Sequence, residues 1–210
     1  DEFLAPAFFG QSECADGETK IWVLDRARQQ FMRIHVERSL AEGHTVVDKR
    51  FDLAAALELV PRNLFYLDDR CLIGTQDEGD CRLFRYDPVE GTIAWINHVQ
   101  SFPEASWVHD IAQNMCALKP DRTCLASSFF AFPQVDFIET SGQRRQTAFF
   151  DHIVRPGDAM EGDGMVGYTQ IRATDSLVLA LYDEGMVDGL RPDSRIHVFD
   201  GNGNPLTELC

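Results

Sequence analysis

The chain has 210 residues, a formal net charge of −15 and 44 % hydrophobic residues. One domain of ordinary size is expected at this length, with enough apolar content for a core, and a wholly disordered chain is excluded. The charge counts against nucleic acid, whose phosphates demand a basic stripe, and against an anionic membrane surface, and no run approaches the roughly 18 apolar residues of a membrane span.

In chain order, one theme returns four times. An apolar run ends in an acidic residue, a polar turn follows, and a second apolar segment comes back. The first copy is Ile21-Trp22-Val23-Leu24-Asp25, followed by Phe31-Met32-Arg33-Ile34. The second is Leu83-Phe84-Arg85-Tyr86-Asp87 with Ile93-Ala94-Trp95-Ile96, and the third Val135-Asp136-Phe137-Ile138-Glu139 with Thr147-Ala148-Phe149-Phe150. The fourth is Ile196-His197-Val198-Phe199-Asp200, with Leu206 after the turn. The acidic positions lie 62, 52 and 61 residues apart, an irregular period somewhat longer than that of common propeller blades.

A hairpin with an Asp in its turn precedes the last three copies. It spans residues 64–73 around Asp68-Asp69, 115–126 around Pro120-Asp121, and 171–182 around Asp175. The arm Leu177-Val178-Leu179-Ala180-Leu181-Tyr182 is apolar at every position, so both of its faces must be covered. Stacked blades do this. Two hairpins make a four-stranded antiparallel unit, and four units account for nearly the whole chain. A β-sandwich, whose strands alternate apolar and polar with turns every 8–12 residues, fits less well. The fold expected is all-β: a β-propeller of four-stranded antiparallel blades, one domain over residues 1–210. The first unit leaves no room for a complete leading hairpin and the last stops soon after its fourth strand, so the expectation is a piece of a longer propeller, incomplete at both ends. Leu53, Ala56, Leu57 and Val60 follow helical spacing, predicting about two helical turns with Asp52 as N-cap and Pro61 as the stop.

The six cysteines form no CxxC pair, which removes support for a zinc ribbon or a thioredoxin-type site. Cys71 and Cys81 bracket one polar turn, Cys116 and Cys124 another. Each pair could oxidise across its hairpin in an exporting compartment; the alternative is buried free thiols acting as small hydrophobes.

These segments resemble a known family, the TolB-like six-bladed propeller lipoproteins of gut Bacteroidetes. Asp1-Glu2-Phe3-Leu4-Ala5-Pro6 is similar to the end of that family's Gly-x-Gly-Pro-x-Glu-Phe stretch, and Ile21-Trp22-Val23-Leu24-Asp25 to its first clear outer strand. Leu118-Lys119-Pro120-Asp121 is similar to its mid-chain hairpin turn. Ile196-His197-Val198-Phe199-Asp200-Gly201-Asn202-Gly203-Asn204-Pro205 is similar to its late turn, with Gly201 where the family has an aromatic. The resemblance implies a propeller of six blades, of which about four are here. It also implies export to the cell envelope, either periplasm or outer-membrane surface, with lipid anchoring through a cysteine upstream of Asp1.

Several motifs invite chemistry. Gly162-Asp163-Gly164-Met165-Val166-Gly167 spells GxGxxG, but a dinucleotide site needs a strand before it and a helix after it; here a loop precedes and a β-like segment follows. Asp200-Gly201-Asn202-Gly203-Asn204 opens like a calcium loop, yet its sixth position is Pro205 rather than Gly, and a tight hairpin turn is the better reading. Asp158, Glu161 and Asp163 could offer hard oxygen ligands to a divalent ion; the alternative is a solvated acidic loop. His109-Asp110 could orient a general base, although neighbours on a strand point to opposite faces. His197 is expected to pack or face solvent in an outer strand. No GxSxG elbow occurs.

Three long connections, about residues 38–61, 97–110 and 150–167, are where a ligand site is expected. The candidate binding residues are Trp107, His109 and Asp110 in the second and His152, Arg155 and Asp163 in the third, with no catalytic residue, metal or cofactor assigned. The function expected is a non-catalytic extracytoplasmic binding or interaction module for a protein, glycan or small molecule. The alternatives are a metal-dependent hydrolase or lyase with an axial divalent ion, and a purely structural envelope component.

Overall fold

The computed structural model describes residues 8–15, 18–53, 61–76, 81–98, 114–129, 133–150, 167–183 and 194–210. They fall into four four-stranded sheets, each with its strands in chain order. Blade 1 holds β1 (Phe8–Ala15), β2 (Glu18–Asp25), β3 (Gln30–His35) and β4 (Val47–Asp52), with helix α1 (Val36–Glu42) between β3 and β4. Blade 2 holds β5 (Asn63–Asp68), β6 (Cys71–Thr75), β7 (Cys81–Asp87) and β8 (Thr92–His98). Blade 3 holds β9 (Asn114–Leu118), β10 (Cys124–Phe129), β11 (Gln134–Glu139) and β12 (Arg144–Phe149). Blade 4 holds β13 (Gly167–Ala173), β14 (Leu177–Asp183), β15 (Arg195–Asp200) and β16 (Pro205–Leu209). Neighbouring strands pair antiparallel. The chain divides into two compact units, residues 1–76 with 81–95, and residues 77–80 with 96–210.

Burial falls from the early strands of a blade to the last. All of β6 is buried, as is β10 up to Ser128, whereas β4 alternates half-buried with exposed and β16 is almost wholly exposed. Apolar or small residues at successive positions make the second strand coverable on both faces; alternating charge makes the fourth strand a solvent-facing edge. In the first unit the core joins Trp22, Leu24 and Phe31 of blade 1 to Leu64, Leu72 and Phe84 of blade 2. In the second it joins Ala126, Val135 and Phe137 of blade 3 to Tyr168, Val178 and Phe199 of blade 4.

The repeats read from the sequence coincide with blades 2, 3 and 4. Blade 1 is a correction. Ile21-Trp22-Val23-Leu24-Asp25 belongs to the second strand and Phe31-Met32-Arg33-Ile34 to the third, and β1 with β2 forms the leading hairpin for which the sequence seemed to have no room. The third strands then end at His35, Asp87, Glu139 and Asp200, which makes the first two intervals equal. The misreading has a physical source. The fourth strand, Val47-Asp48-Lys49-Arg50-Phe51-Asp52, is rich in charge, and α1 separates it from β3, so residues 38–61 read as one long connection. Of the helix expected around residues 53–60, only Leu53 is described; it is fully buried and donates its N–H to the Gln29 carbonyl at 2.8 Å, directly after β4. The remaining positions lie outside the described residues.

The recurring acids serve the turns. Asp87 Oδ1 accepts the N–H groups of Val89 and Glu90, Asp68 Oδ1 that of Arg70, and Asp121 Oδ1 that of Thr123. Asp200 Oδ1 accepts from Asn202 and Asn204, while its Oδ2 accepts from the Asn204 side-chain amide at 2.8 Å. The Asn204 amide and backbone bonds hold the Asp200 carboxyl below the usual carboxylate range. The segment that opens like a calcium loop is therefore a hairpin turn, with Gly203 at φ +92°, as the turn reading requires. Cys71, Cys116 and Cys124 are buried free thiols, and burial pushes the Cys124 thiol up.

Candidate functional site

The residues to which the sequence points, Trp107, His109, Asp110, His152, Arg155 and Asp163, all lie outside the described residues, as do Asp158 and Glu161. Of the GxGxxG segment only Gly167 is described; it opens β13, so a strand follows the motif and the helix of a dinucleotide site does not. Among the described residues, no group of three or more His, Cys, Asp or Glu is placed to hold a metal ion, and no helix is long and apolar enough to cross a membrane.

What the described residues do bring together is a polar chain through blade 4, buried at Tyr168 and His197 and reaching the surface at Glu208. Tyr168, on β13, is fully buried, and its hydroxyl lies 2.9 Å from Nδ1 of His197 on β15. The strand between them, β14, places Ala180 opposite His197 and Tyr182 opposite Tyr168, so the phenol meets the imidazole on the diagonal. Glu208 pairs with His197 on β16 and brings Oε2 to 3.1 Å from Nε2. Arg195 Nη1 stands 3.6 Å from the same carboxylate oxygen. The imidazole is stacked against Phe150 at 4.1 Å and Tyr182 at 4.6 Å between ring centroids.

Burial raises the Tyr168 phenol well above its ordinary value, so it keeps its proton and donates it. A carboxylate only accepts. These two partners assign the ring: Nδ1 accepts from Tyr168, and Nε2–H donates to Glu208. His197 is therefore a buried side chain paired at both ring nitrogens, on the third strand of the blade. With Tyr168 sealed from solvent, no substrate reaches the hydroxyl. The arrangement ties the first strand of the blade to its last. The sequence does not announce it, because it depends on the register that sets Tyr168 beside Tyr182, and Ala180 beside His197 and Glu208, across the four strands.

A second buried polar row crosses blade 3. Pairing aligns Cys116, Ser127, Asp136 and Thr147 on successive strands. Cys116 Sγ–H points to Ser127 Oγ at 3.4 Å, and Asp136 Oδ1 accepts from Thr147 Oγ1 at 2.6 Å and Gln134 Nε2 at 3.0 Å. Asp136 is 3 % exposed. Burial raises its carboxyl above the ordinary value, against the pull of the Thr147 and Gln134 hydrogen bonds and of Arg144. A carboxyl whose folded value is raised binds its proton more readily folded than unfolded, so its cost to stability is present at neutral pH and is relieved as pH falls through the folded value. Asp136→Asn keeps an acceptor for Thr147 and Gln134 and removes the buried charge. The variant is expected to match or exceed wild type at pH 7, by up to about 1–3 kcal/mol, the usual penalty of a buried polar group poorly compensated. Thermal melts should show that difference shrinking as pH falls toward 4.

No family model and no curated protein sequence matches the chain. Solved structures do. A member of the DUF4221 family from Bacteroides vulgatus superimposes with a TM-score of 0.58 at 12 % identity, covering 98 % of this chain and 67 % of that one. A candidate exported protein from Bacteroides fragilis gives a TM-score of 0.52 at 11 % identity, over 98 % of this chain and 60 % of that one. The hydrazine synthase of Kuenenia stuttgartiensis gives 0.52 at 11 % identity, over 90 % and 45 %. This chain therefore spans 45–67 % of the length of these structures. At such identities the likeness is one of fold. Together with the four blades, it establishes an all-β protein of β-propeller type.

Proposed function

We propose that the chain is about four blades of an extracytoplasmic, six-bladed β-propeller lipoprotein that binds a protein, glycan or small molecule without transforming it. The observation that carries the reading is how the described polar groups are used. The recurring acids accept hydrogen bonds from turns, and Tyr168 and His197 are buried and bonded to each other. Binding then falls to the segments that join one blade to the next, which carry Trp107, His109 and Asp110 between β8 and β9, and His152, Arg155 and Asp163 between β12 and β13. Segments connecting rigid elements are where recognition concentrates, and Trp and Arg are frequent anchors. The candidate exported protein among the structural relatives supports export, as does the resemblance to envelope lipoproteins.

The test is a two-part measurement on the native protein. Immobilised protein is screened against glycan and peptide libraries, with and without calcium, and every hit is re-examined by mass spectrometry for chemical change. Saturable binding with the ligand recovered intact is the expected result; metal-dependent turnover of any hit overturns it and favours the hydrolase or lyase reading. The intact mass of the protein from its source cells tests the envelope assignment. A species well above 23.7 kDa carrying a diacyl-modified terminal cysteine is expected, and an unmodified cytoplasmic species contradicts it.

A further inference from the structure

The two faces of blade 4 are not alike. Its second strand alternates partly buried Leu177, Leu179 and Leu181 with Val178, Ala180 and Tyr182, which are buried in the core shared with blade 3. Pairing continues the other set across the sheet in two rows, Leu181–Ile196–Leu209 and Leu179–Val198–Thr207. Of these six only Val198 is buried, and Leu209 is 50 % exposed. Blade 3 shows the same rows when covered. Counting back from the acids that end the third strands, Glu139 and Asp200, Phe137 matches Val198 and Val135 matches Ile196. The rows of blade 3 are therefore Ser128–Val135–Ala148 and Ala126–Phe137–Gln146. Ala126, Val135, Phe137 and Ala148 are buried in the join with blade 4, and Ser128 is fully buried. Blade 4 carries Leu181, Leu179 and Ile196 where blade 3 has Ser128, Ala126 and Val135, yet these larger side chains are the ones left partly in water. The solvated face of an antiparallel sheet is ordinarily polar, and an apolar face kept wet marks a contact surface.

We propose that this face of blade 4 seats a further four-stranded blade of the same protein, an inference that rests on the six-bladed reading above. Two observations select the occupant. Blades 3 and 4 join head to tail: the Ala126–Phe137 face of one meets the Val178–Phe199 face of the next. A further blade continues that arrangement, whereas a two-fold dimer would press the leucine face on a copy of itself, a different kind of contact. Second, this chain spans 67 % of the Bacteroides vulgatus structure, so about a third of that structure has no counterpart here. The rows begin on the inner strand with exposed Gln170 and Arg172, opposite Leu181 and Leu179, and covering them requires hydrogen-bond partners. The occupant therefore presents a face that is apolar over its second and third strands and polar on its first.

The test is carbene footprinting of the native protein from its source cells, read by peptide mass spectrometry alongside the intact mass. Leu206 and Leu209 lie on one strand and are 56 % and 50 % exposed, so with the face open they label alike. With a blade seated, Leu209 is expected to label at least roughly fivefold less than Leu206, as a side chain taken into a close-packed interior does. A pair of substitutions on this outer strand gives a second readout. Leu209→Gln should lower the melting temperature by about 2–4 °C, the scale of one lost packing contact, and Leu206→Gln by less than about 1 °C, as at an open surface. A native species longer than this chain in which the two leucines label alike, or in which the two substitutions melt alike, overturns the proposal and leaves the six-bladed reading standing. A species of 23.7 kDa overturns both. Protection of Leu209 that grows with protein concentration then assigns the face to a second copy, and protection independent of concentration to another part of this chain.

Discussion

Trp22→Ala is expected to cost about 3–5 kcal/mol, the range for deleting a large aromatic from a packed core, read as a fall in the urea midpoint at unchanged slope. Trp22 sits on the second strand of blade 1 and is fully buried. Its indole lies between Phe31 of β3, at 4.7 Å, and Tyr66 of β5, at 4.4 Å between centroids, both nearly parallel to it. Phe51 of β4 extends the stack at 6.1 Å, and the Arg33 guanidinium lies 5.6 Å from the indole. One side chain thus holds three strands of blade 1 and the first strand of blade 2. Aromatic pairs contribute roughly 0.5–1.5 kcal/mol beyond the area they bury, so the loss should sit toward the upper end of the range. Trp22→Phe should recover a good part of it by keeping a flat ring between Phe31 and Tyr66. A loss below about 1 kcal/mol for Trp22→Ala, the level of an ordinary substitution, would contradict the role given to this stack.

Gly203→Ala should be nearly as damaging for a different reason. Gly203 turns the chain between β15 and β16 at φ +92°, and a Cβ there would lie 2.8 Å from Cδ2 of Phe137 on blade 3. Phe137 is itself buried, edge-on to Phe199 at 6.3 Å, and has nowhere to retreat. The carbonyl of Gly203 also accepts from the Gln146 side chain at 3.2 Å, so the turn is bound to blade 3 and cannot swing out freely. Backbone strain of about 1–3 kcal/mol adds to an overpacking cost of similar size. Gly201→Ala is the internal control. A Cβ at Gly201 meets first the Nζ of Lys119, at 3.2 Å, which is the far end of a flexible chain. That substitution should cost less than about 1 kcal/mol by thermal melt, and equal losses at the two glycines would contradict the geometry of this turn.

How much of this was readable from the sequence varies along the chain. Blades 2, 3 and 4 were legible because each combines an early arm apolar on both faces, such as Leu177-Val178-Leu179-Ala180-Leu181-Tyr182, with a third strand ending at an acid that starts a turn. Both signals are local. Blade 1 was misregistered by one strand because α1 interrupts it and because its outer strand, with Asp48, Lys49, Arg50 and Asp52, looks like surface. The polar chain from Tyr168 to Glu208 was invisible for another reason. Its members are far apart in sequence, and only the pairing of β13 through β16 lines them up. The segment around His197 points only to packing or solvent exposure, since nothing local tells that a tyrosine and a glutamate flank it. The segments read as the ligand site, by contrast, rest on composition and connectivity, and their residues lie outside the described residues.

The measurement that tests the binding account most directly is the affinity of an identified ligand for the native protein and for Trp107→Ala and Arg155→Ala. Each substitution removes one proposed anchor from a segment that joins two blades. The account predicts at least a tenfold weakening for one or both, the roughly 1.4 kcal/mol or more expected when a contact anchor is lost, with unchanged melting temperature and the ligand recovered intact. Unchanged affinity in both variants, or a ligand returned chemically altered, would contradict it.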